Sequence, residues 1–247
     1  MILVENLSRH FGSFKAVDDI SFSVTRGEVL GFLGPNGAGK STSMRMITGA
    51  LGLSAGRVEI CGHDIVQAKL AAQCSFGYLP EGAPSYGEMT PLGFLQFIAD
   101  VRGLKGAART QAIDKAVSAT ELALVLEQQI DTLSKGFRRR VGLAQAILAD
   151  PPVLILDEPT DGLDPNQKYA ARTLIKRMAA DKAILISTHL LDEVDAICTR
   201  ALIIDRGRIV ADGTPAALSA RVPSGRLDDL FRQLTHDDTD ETAKAGA

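Results

Sequence analysis

The residues Gly34-Pro35-Asn36-Gly37-Ala38-Gly39-Lys40-Ser41 fit the spacing G-x-x-x-x-G-K-[ST], a pattern suited to holding phosphates. Glycines let the backbone turn several N–H groups inward around an anion. The lysine of such a loop reaches the β- and γ-phosphates, and the hydroxyl after it holds Mg²⁺. Gly34, Pro35, Asn36, Gly37, Ala38, Gly39, Lys40, Ser41 and Thr42 are therefore the candidate nucleotide cradle. Glu28–Leu33 before the loop reads as a buried strand, and Ser43–Ala50 after it as a helix whose positive end favours phosphate. Alone, the loop suits a kinase, a GTPase, a motor or a transporter engine.

A second cluster ends a strand. Val153-Leu154-Ile155-Leu156 is an apolar run followed by Asp157-Glu158. Such a run suits a strand buried on both faces, and the carboxyl end of a strand is where open α/β sheets bind ligands. There Asp157 would hold Mg²⁺, directly or through water, opposite Ser41. Glu158 would be the general base that polarises an attacking water. Ser134 is an N-cap for a helix beginning at Lys135. That helix reads either as a capped helix with an arginine-rich solvated face or as a second phosphate sensor presenting Ser134 and Gly136.

The elements that must position these groups follow from periodicity. Ile2–Leu7, Ala16–Val24, Val29–Leu33, Arg57–Cys61 and Phe76–Leu79 are predicted strands, with turns at Phe11-Gly12-Ser13 and Arg26-Gly27. From Glu81 to Thr132 strand signals stop, and helices are predicted over Leu92–Arg102 and Arg109–Glu127. In the second, Ile113, Ala116, Val117 and Thr120 share one face. Then come helix Lys135–Ala149, strand Val153–Leu156, helix Gln167–Ala180 and strand Ala183–Ser187, with two last strands, Ala201–Ile204 and Arg208–Ala211. Strands alternating with helices predict an α/β fold with a mainly parallel sheet. The tail from His236 to Ala247 is polar and is expected to be disordered.

Composition narrows the partners. The net charge of −3 gives no field that would favour nucleic acid. The three cysteines, Cys61, Cys74 and Cys198, form no C-x-x-C pair, which suits a reducing compartment and neither a zinc site nor a disulfide framework. The N-terminus lacks the pattern of a signal peptide. No apolar run approaches the roughly 18–20 residues of a membrane span. A soluble protein is expected, held at any membrane by something else.

Leu133-Ser134-Lys135-Gly136-Phe137 resembles the L-S-G-G-Q signature of ATP-binding cassette (ABC) ATPases, and the family's other motifs follow in order over about residues 1–235. Phe11 looks like the aromatic on which adenine stacks, with Val17 against base or ribose. Glu81 occupies the Q-loop position, Asp161-Gly162-Leu163-Asp164 resembles the D-loop, and His189 resembles the switch histidine. The resemblance implies a P-loop NTPase core with an N-terminal antiparallel β subdomain and an α-helical subdomain inserted at about residues 81–135. It also implies ATP and Mg²⁺ as cofactors and ATP hydrolysis as the activity, with Glu158, His189 and Lys40 catalytic. Ser41, Glu81 and Asp157 would hold the metal. Phe11, Val17, residues 34–42, Ser134, Gly136 and Asp164 would hold nucleotide. Ser134 and Gly136 would serve a partner chain's ATP, because cassettes of this family close head to tail around two ATP molecules.

Two motifs depart from the pattern, at three residues. Lys135 replaces a signature glycine, either aiding ATP binding or pointing into solvent, and Phe137 replaces its glutamine. Glu81 replaces the usual Q-loop glutamine and would bind metal more strongly while repelling the γ-phosphate. Tyr78-Leu79-Pro80-Glu81, Leu133–Gly136 and Leu163-Asp164-Pro165-Asn166-Gln167 together look like the ATP-binding subunits of bacterial ABC-2-type exporters, a group that includes multidrug exporters. Leu227–Thr235 resembles that group's short C-terminal helix. The branch implies a separate polytopic permease, a homodimer in preference to a heterodimer, and a place on the cytoplasmic face of the bacterial inner membrane. A soluble ABC ATPase of DNA repair or translation is the alternative. Against it stand the missing coiled-coil insert and the presence of one cassette, not two.

Overall fold

The computed structural model describes residues 1–82 and 86–235. The expected disordered tail lies outside these residues. The chain opens with β1 (Ile2–Phe11), β2 (Phe14–Val24) and β3 (Val29–Leu33), followed by helix α1 (Lys40–Ile47). Next come β4 (Ala55–Ile60), β5 (His63–Asp64), α2 (Lys69–Cys74) and β6 (Phe76–Leu79). Three helices follow, α3 (Pro91–Val101), α4 (Gly106–Thr120) and α5 (Lys135–Ile147). The chain then runs through β7 (Val153–Asp157), α6 (Pro165–Ala179), β8 (Ala183–Thr188) and α7 (Leu191–Ile197). It finishes with β9 (Arg200–Asp205), β10 (Arg208–Gly213), α8 (Pro215–Ser219) and α9 (Leu227–Thr235).

Two sheets result. β2-β1-β4-β5 form a four-stranded antiparallel sheet. β10-β9-β3-β8-β7-β6 form a six-stranded sheet, parallel throughout except for the β9–β10 pair. Every residue of β3, β7 and β8 is buried, and their period of two divides the apolar side chains between two cores. Leu30, Phe32, Val153, Ile155 and Leu185 join Val4, Ile20, Met44 and Val58 between the two sheets. Val29, Leu154, Leu156, Ile184 and Ile186 face α5 and α6 through Leu143, Leu174 and Ile175. The helices between β6 and β7 have their own core around Phe94, Leu95, Ile113, Leu122 and Val141.

Several boundaries differ from the sequence expectation for identifiable reasons. α1 begins at Lys40, not Ser43, because Gly39 at φ 105 turns the loop directly into the helix. α4 ends at Thr120 instead of continuing to Glu127, since Glu121 takes a left-handed C-cap at φ 54. α6 begins at Pro165, where Asp164 and Gln167 complete a capping box. The short helices α2, α7 and α8 were not expected; none is long enough to show a clear periodicity.

Candidate functional site

Strand register brings the candidate residues to one edge. Parallel pairing sets Leu33 opposite Thr188, Asp157 opposite Ser187 and Leu79 opposite Leu156. The carboxyl ends of β3, β8, β7 and β6 are therefore level. Gly34, His189, Glu158 and the Pro80-Glu81 turn leave the sheet there, at the edge where open α/β sheets bind ligands.

The glycine loop fits tightly against its surroundings. A Cβ on Gly34 would lie 2.4 Å from the Ile204 carbonyl oxygen, and one on Gly39 would lie 2.6 Å from that of Ala16. Lys40 is buried, and its Nζ donates to the carbonyls of Gly34 at 2.7 Å and Pro35 at 3.0 Å. Burial pushes the Lys40 ammonium below its ordinary pKa, while the charges of Glu158, Asp157 and Glu81 pull the other way. Asn36 and Gly37 are exposed, Pro35, Gly39, Ser41 and Thr42 are half-buried, and Ala38 is buried. Phe11 is 48% exposed, with the Arg9 guanidinium 4.7 Å from its ring centroid. Val17 is fully buried and packs beneath Gly39, its Cγ2 3.5 Å from where a Cβ would stand. In this conformation it supports the loop from below.

Three carboxylates surround the loop's exit. The Ser41 hydroxyl donates to Glu81 Oε2 at 3.2 Å. Asp157 is buried and accepts a hydrogen bond from the Ser187 hydroxyl. Burial holds its carboxyl above the usual range against that bond, and the charges of Glu81 and Glu158 push in the same direction as burial. Glu158 has a left-handed backbone, φ 52. Its N–H donates to the Ser187 carbonyl at 3.0 Å and lies 3.2 Å from the Ser187 hydroxyl. Its Oε1 lies 2.9 Å from Nδ1 of the exposed His189. Hard oxygen donors of this kind, one hydroxyl and two carboxylates, suit a small divalent cation that shares its remaining ligands with phosphates and water. Among the described residues no group of three or more His, Cys, Asp or Glu side chains forms a metal site by itself.

Ser134 and Gly136 lie in a second cluster. Ser134 caps α5, its Oγ accepting from the Phe137 N–H at 3.3 Å. Gly136 is packed so closely that a Cβ would come 2.7 Å from Gln167 Oε1. Lys135 Nζ pairs with Asp161 Oδ2 at 2.8 Å, which holds the Asp161 carboxyl below its usual range. Asp164 Oδ1 accepts from the Gln167 N–H at 2.9 Å. The start of α5 is thus joined to the segment 161–167. Among the described residues no hydrogen bond or ion pair links Ser134, Lys135 or Gly136 to residues 34–42.

Sequence reasoning missed four contributors. Ser187 holds both Asp157 and Glu158. Thr188 accepts from the Leu190 N–H at 3.0 Å and donates to buried Glu193 Oε2 at 2.6 Å, bracketing His189. Burial pushes the Glu193 carboxyl up. Arg139, within the supposed solvated arginine run, is buried. Its spacing held the clue, because Gly136, Arg139, Leu143 and Ala146 fall on one helical face.

The ABC transporter family model matches residues 17–161. "Probable multidrug ABC transporter ATP-binding protein YbhF" of Escherichia coli is 35% identical over 243 residues, covering 96% of this chain. The chain spans 42% of that relative's length. A solved structure of the ATP-binding subunit of an ABC transporter superposes with a TM-score of 0.88 at 30% identity, covering 95% of this chain and 99% of the other. The dimeric structure of a bacterial ABC transporter cassette superposes with a TM-score of 0.80 at 20% identity, covering 87% of this chain and 98% of the other, a likeness of fold.

Proposed function

This chain belongs to the ABC transporter family, and from that premise we propose that it binds and hydrolyses ATP to drive transport through a separate membrane subunit. The observation that carries the proposal is the Glu158–His189 contact of 2.9 Å at the same sheet edge as the phosphate loop. Lys40 and the loop N–H groups bind the phosphates. Glu158 takes a proton from water as the water oxygen bonds to the γ-phosphorus. The bond from that phosphorus to the bridging oxygen breaks, and ADP leaves with its electron pair. His189 holds Glu158 in place and reaches the γ-phosphate. Phe11, exposed at the end of β1, offers a face for adenine. Ser41, Asp157 and Glu81 would hold Mg²⁺, which when bound offsets the charge developing on the phosphates.

The separation of Ser134 and Gly136 from the phosphate loop supports a shared site, completed by a second copy of the chain. Asp164 stands at that face, and the dimeric cassette of like fold is consistent with this reading. Export is the direction we propose, because a relative sharing most of this chain is named a multidrug transporter protein. No helix among the described residues is long and apolar enough to cross a membrane; the transport path is proposed to lie in a separate membrane subunit. Exposed Tyr86 and Phe97, with ring centroids 5.7 Å apart, offer an apolar docking patch on the helical layer. We place the assembly on the cytoplasmic face of the bacterial inner membrane.

The test is a pull-down from detergent-solubilised membranes with an ATPase assay on the recovered complex. Recovery of a polytopic membrane protein, with turnover per chain rising with protein concentration, supports the proposal. Recovery of ribosomes or DNA would overturn it.

A further inference from the structure

Arg139 is 5% exposed and lies on α5 one turn beyond Gly136. Its guanidinium goes to backbone carbonyls. Nη1 donates to the Pro80 carbonyl at 3.0 Å, and Nη2 donates to the carbonyls of both Asp157 and Glu158. None of the ion pairs among the described residues includes it. A buried cation is costly unless its donors are satisfied; here Nη1 and Nη2 are satisfied by three carbonyls from two separate stretches of chain, while Nε is buried with no hydrogen-bond partner among the described residues. Only a planar fork with donors on two nitrogens can span them. The surrounding acids, Asp157, Asp161, Glu158 and Glu81, favour the positive charge that burial disfavours.

The three carbonyls share a property. Pro80 immediately precedes Glu81, and the other two carbonyls belong to the acids at the end of β7. Glu158 also stands at φ 52, a conformation that disfavours a side-chain-bearing residue unless its surroundings impose it. Ser187 holds its N–H side, and Arg139 holds its carbonyl side. The carboxylate that faces His189 is therefore aimed by a backbone gripped from both directions.

We propose that Arg139 is a positioning residue that ties α5 to both acid-bearing loops and sets the placement of Glu158 and Glu81. Arg139 touches no group assigned to the nucleotide, so it acts on turnover and leaves ATP binding alone. It also gives α5, whose first turn carries Ser134 and Gly136, a rigid connection to the acids of its own chain. The proposal rests on the reading of Glu158 as general base.

The test compares Arg139→Met and Arg139→Lys in the full chain, measuring kcat, the Kd for a fluorescent ATP analogue, and melting temperature. Arg139→Met removes the guanidinium from the Pro80 and Asp157 carbonyls and leaves the Glu158 carbonyl with the Asp161 N–H, and a misplacement on the ångström scale costs about tenfold to a hundredfold in kcat. The Kd is expected to stay within about threefold of the parent, and Arg139→Lys to recover part of the lost kcat. Parent-level turnover in either folded variant would overturn the inference, as would loss of nucleotide binding in parallel with turnover. If Arg139→Met does not fold, Arg139→Lys decides on the same two criteria. Glu158→Gln, assayed beside them, separates the two readings. Undiminished turnover there sinks the general-base assignment; abolished turnover there with parent-level turnover in the Arg139 variants sinks only the role of Arg139.

Discussion

His189 Nδ1 sits 2.9 Å from Glu158 Oε1 although the two residues leave different strands. The contact follows from the β7–β8 register, which pairs Asp157 with Ser187 and so places the next residue of one strand beside the second-next of the other. Two chemical groups 31 residues apart in sequence thus meet through backbone pairing that needs neither of them.

Replacing Glu158 with glutamine removes the proposed proton acceptor and keeps the shape. Turnover is expected to fall by about a hundredfold or more, as for other general bases, while ATP binding persists and dimers accumulate. Single-turnover hydrolysis with gel filtration in ATP checks this. Wild-type turnover would remove Glu158 from the mechanism.

Glu81 accepts the Ser41 hydroxyl at 3.2 Å. Glu81→Gln keeps an acceptor oxygen but removes a charge from the set that would hold Mg²⁺. The Mg²⁺ concentration for half-maximal turnover should rise, and its measurement by titration decides the point. An unchanged Mg²⁺ profile would show that Glu81 does not bear on the metal.

Asp157 is buried, and its carboxyl is held above the ordinary range. An acid with a raised folded pKa destabilises the fold as pH rises through the unfolded value, and the loss is complete above the folded value. Asp157→Asn should therefore melt higher than the parent at neutral pH without nucleotide. That advantage should fade as pH falls through the folded pKa of Asp157 into the ordinary carboxylate range. Melting curves across acidic to neutral pH test this; a pH-independent difference would contradict it.

Two glycines should respond differently to alanine. A Cβ on Gly77 would lie 1.8 Å from the Ala146 carbonyl oxygen, a backbone atom of α5. Gly77→Ala is expected to cost about 1–3 kcal/mol as an overpacking change. A Cβ on Gly136 crowds only the end of the Gln167 side chain, at 2.7 Å, and meets the Gly162 carbonyl oxygen at an ordinary 3.6 Å, so Gly136→Ala disturbs one arm of a capping box, worth about 1 kcal/mol at most. Urea denaturation of both variants gives the comparison, and equal losses would count against it.

The sequence carried the long elements and the residues that the fold gathers at their ends. Phe76–Leu79 and Val29–Leu33 appear as expected because uninterrupted apolar runs leave buried strands few alternatives. The phosphate loop was legible because glycine spacing reports backbone geometry directly. Arg139 was not, because three consecutive arginines look like a solvated face until helical phase is counted. Glu193 was missed for a related reason. Its helix, α7, spans only Leu191–Ile197 and has no side-chain N-cap, and an acid in the first turn of a short helix looks like a surface residue. Thr188 and Ser187 give no local sign of their roles, because their hydroxyls bind Glu193 and Asp157. Partners across strands cannot be inferred from local spacing.

On the proposed role of Glu158, its left-handed backbone sets turnover and folding against each other. Glycine would adopt that conformation without strain, so Glu158→Gly would relax the turn and also remove the carboxylate. A lineage selected only for a stable fold would drift toward glycine or asparagine at this position. On that proposed role, the fold tolerates a glutamate in a left-handed turn for the sake of its carboxylate.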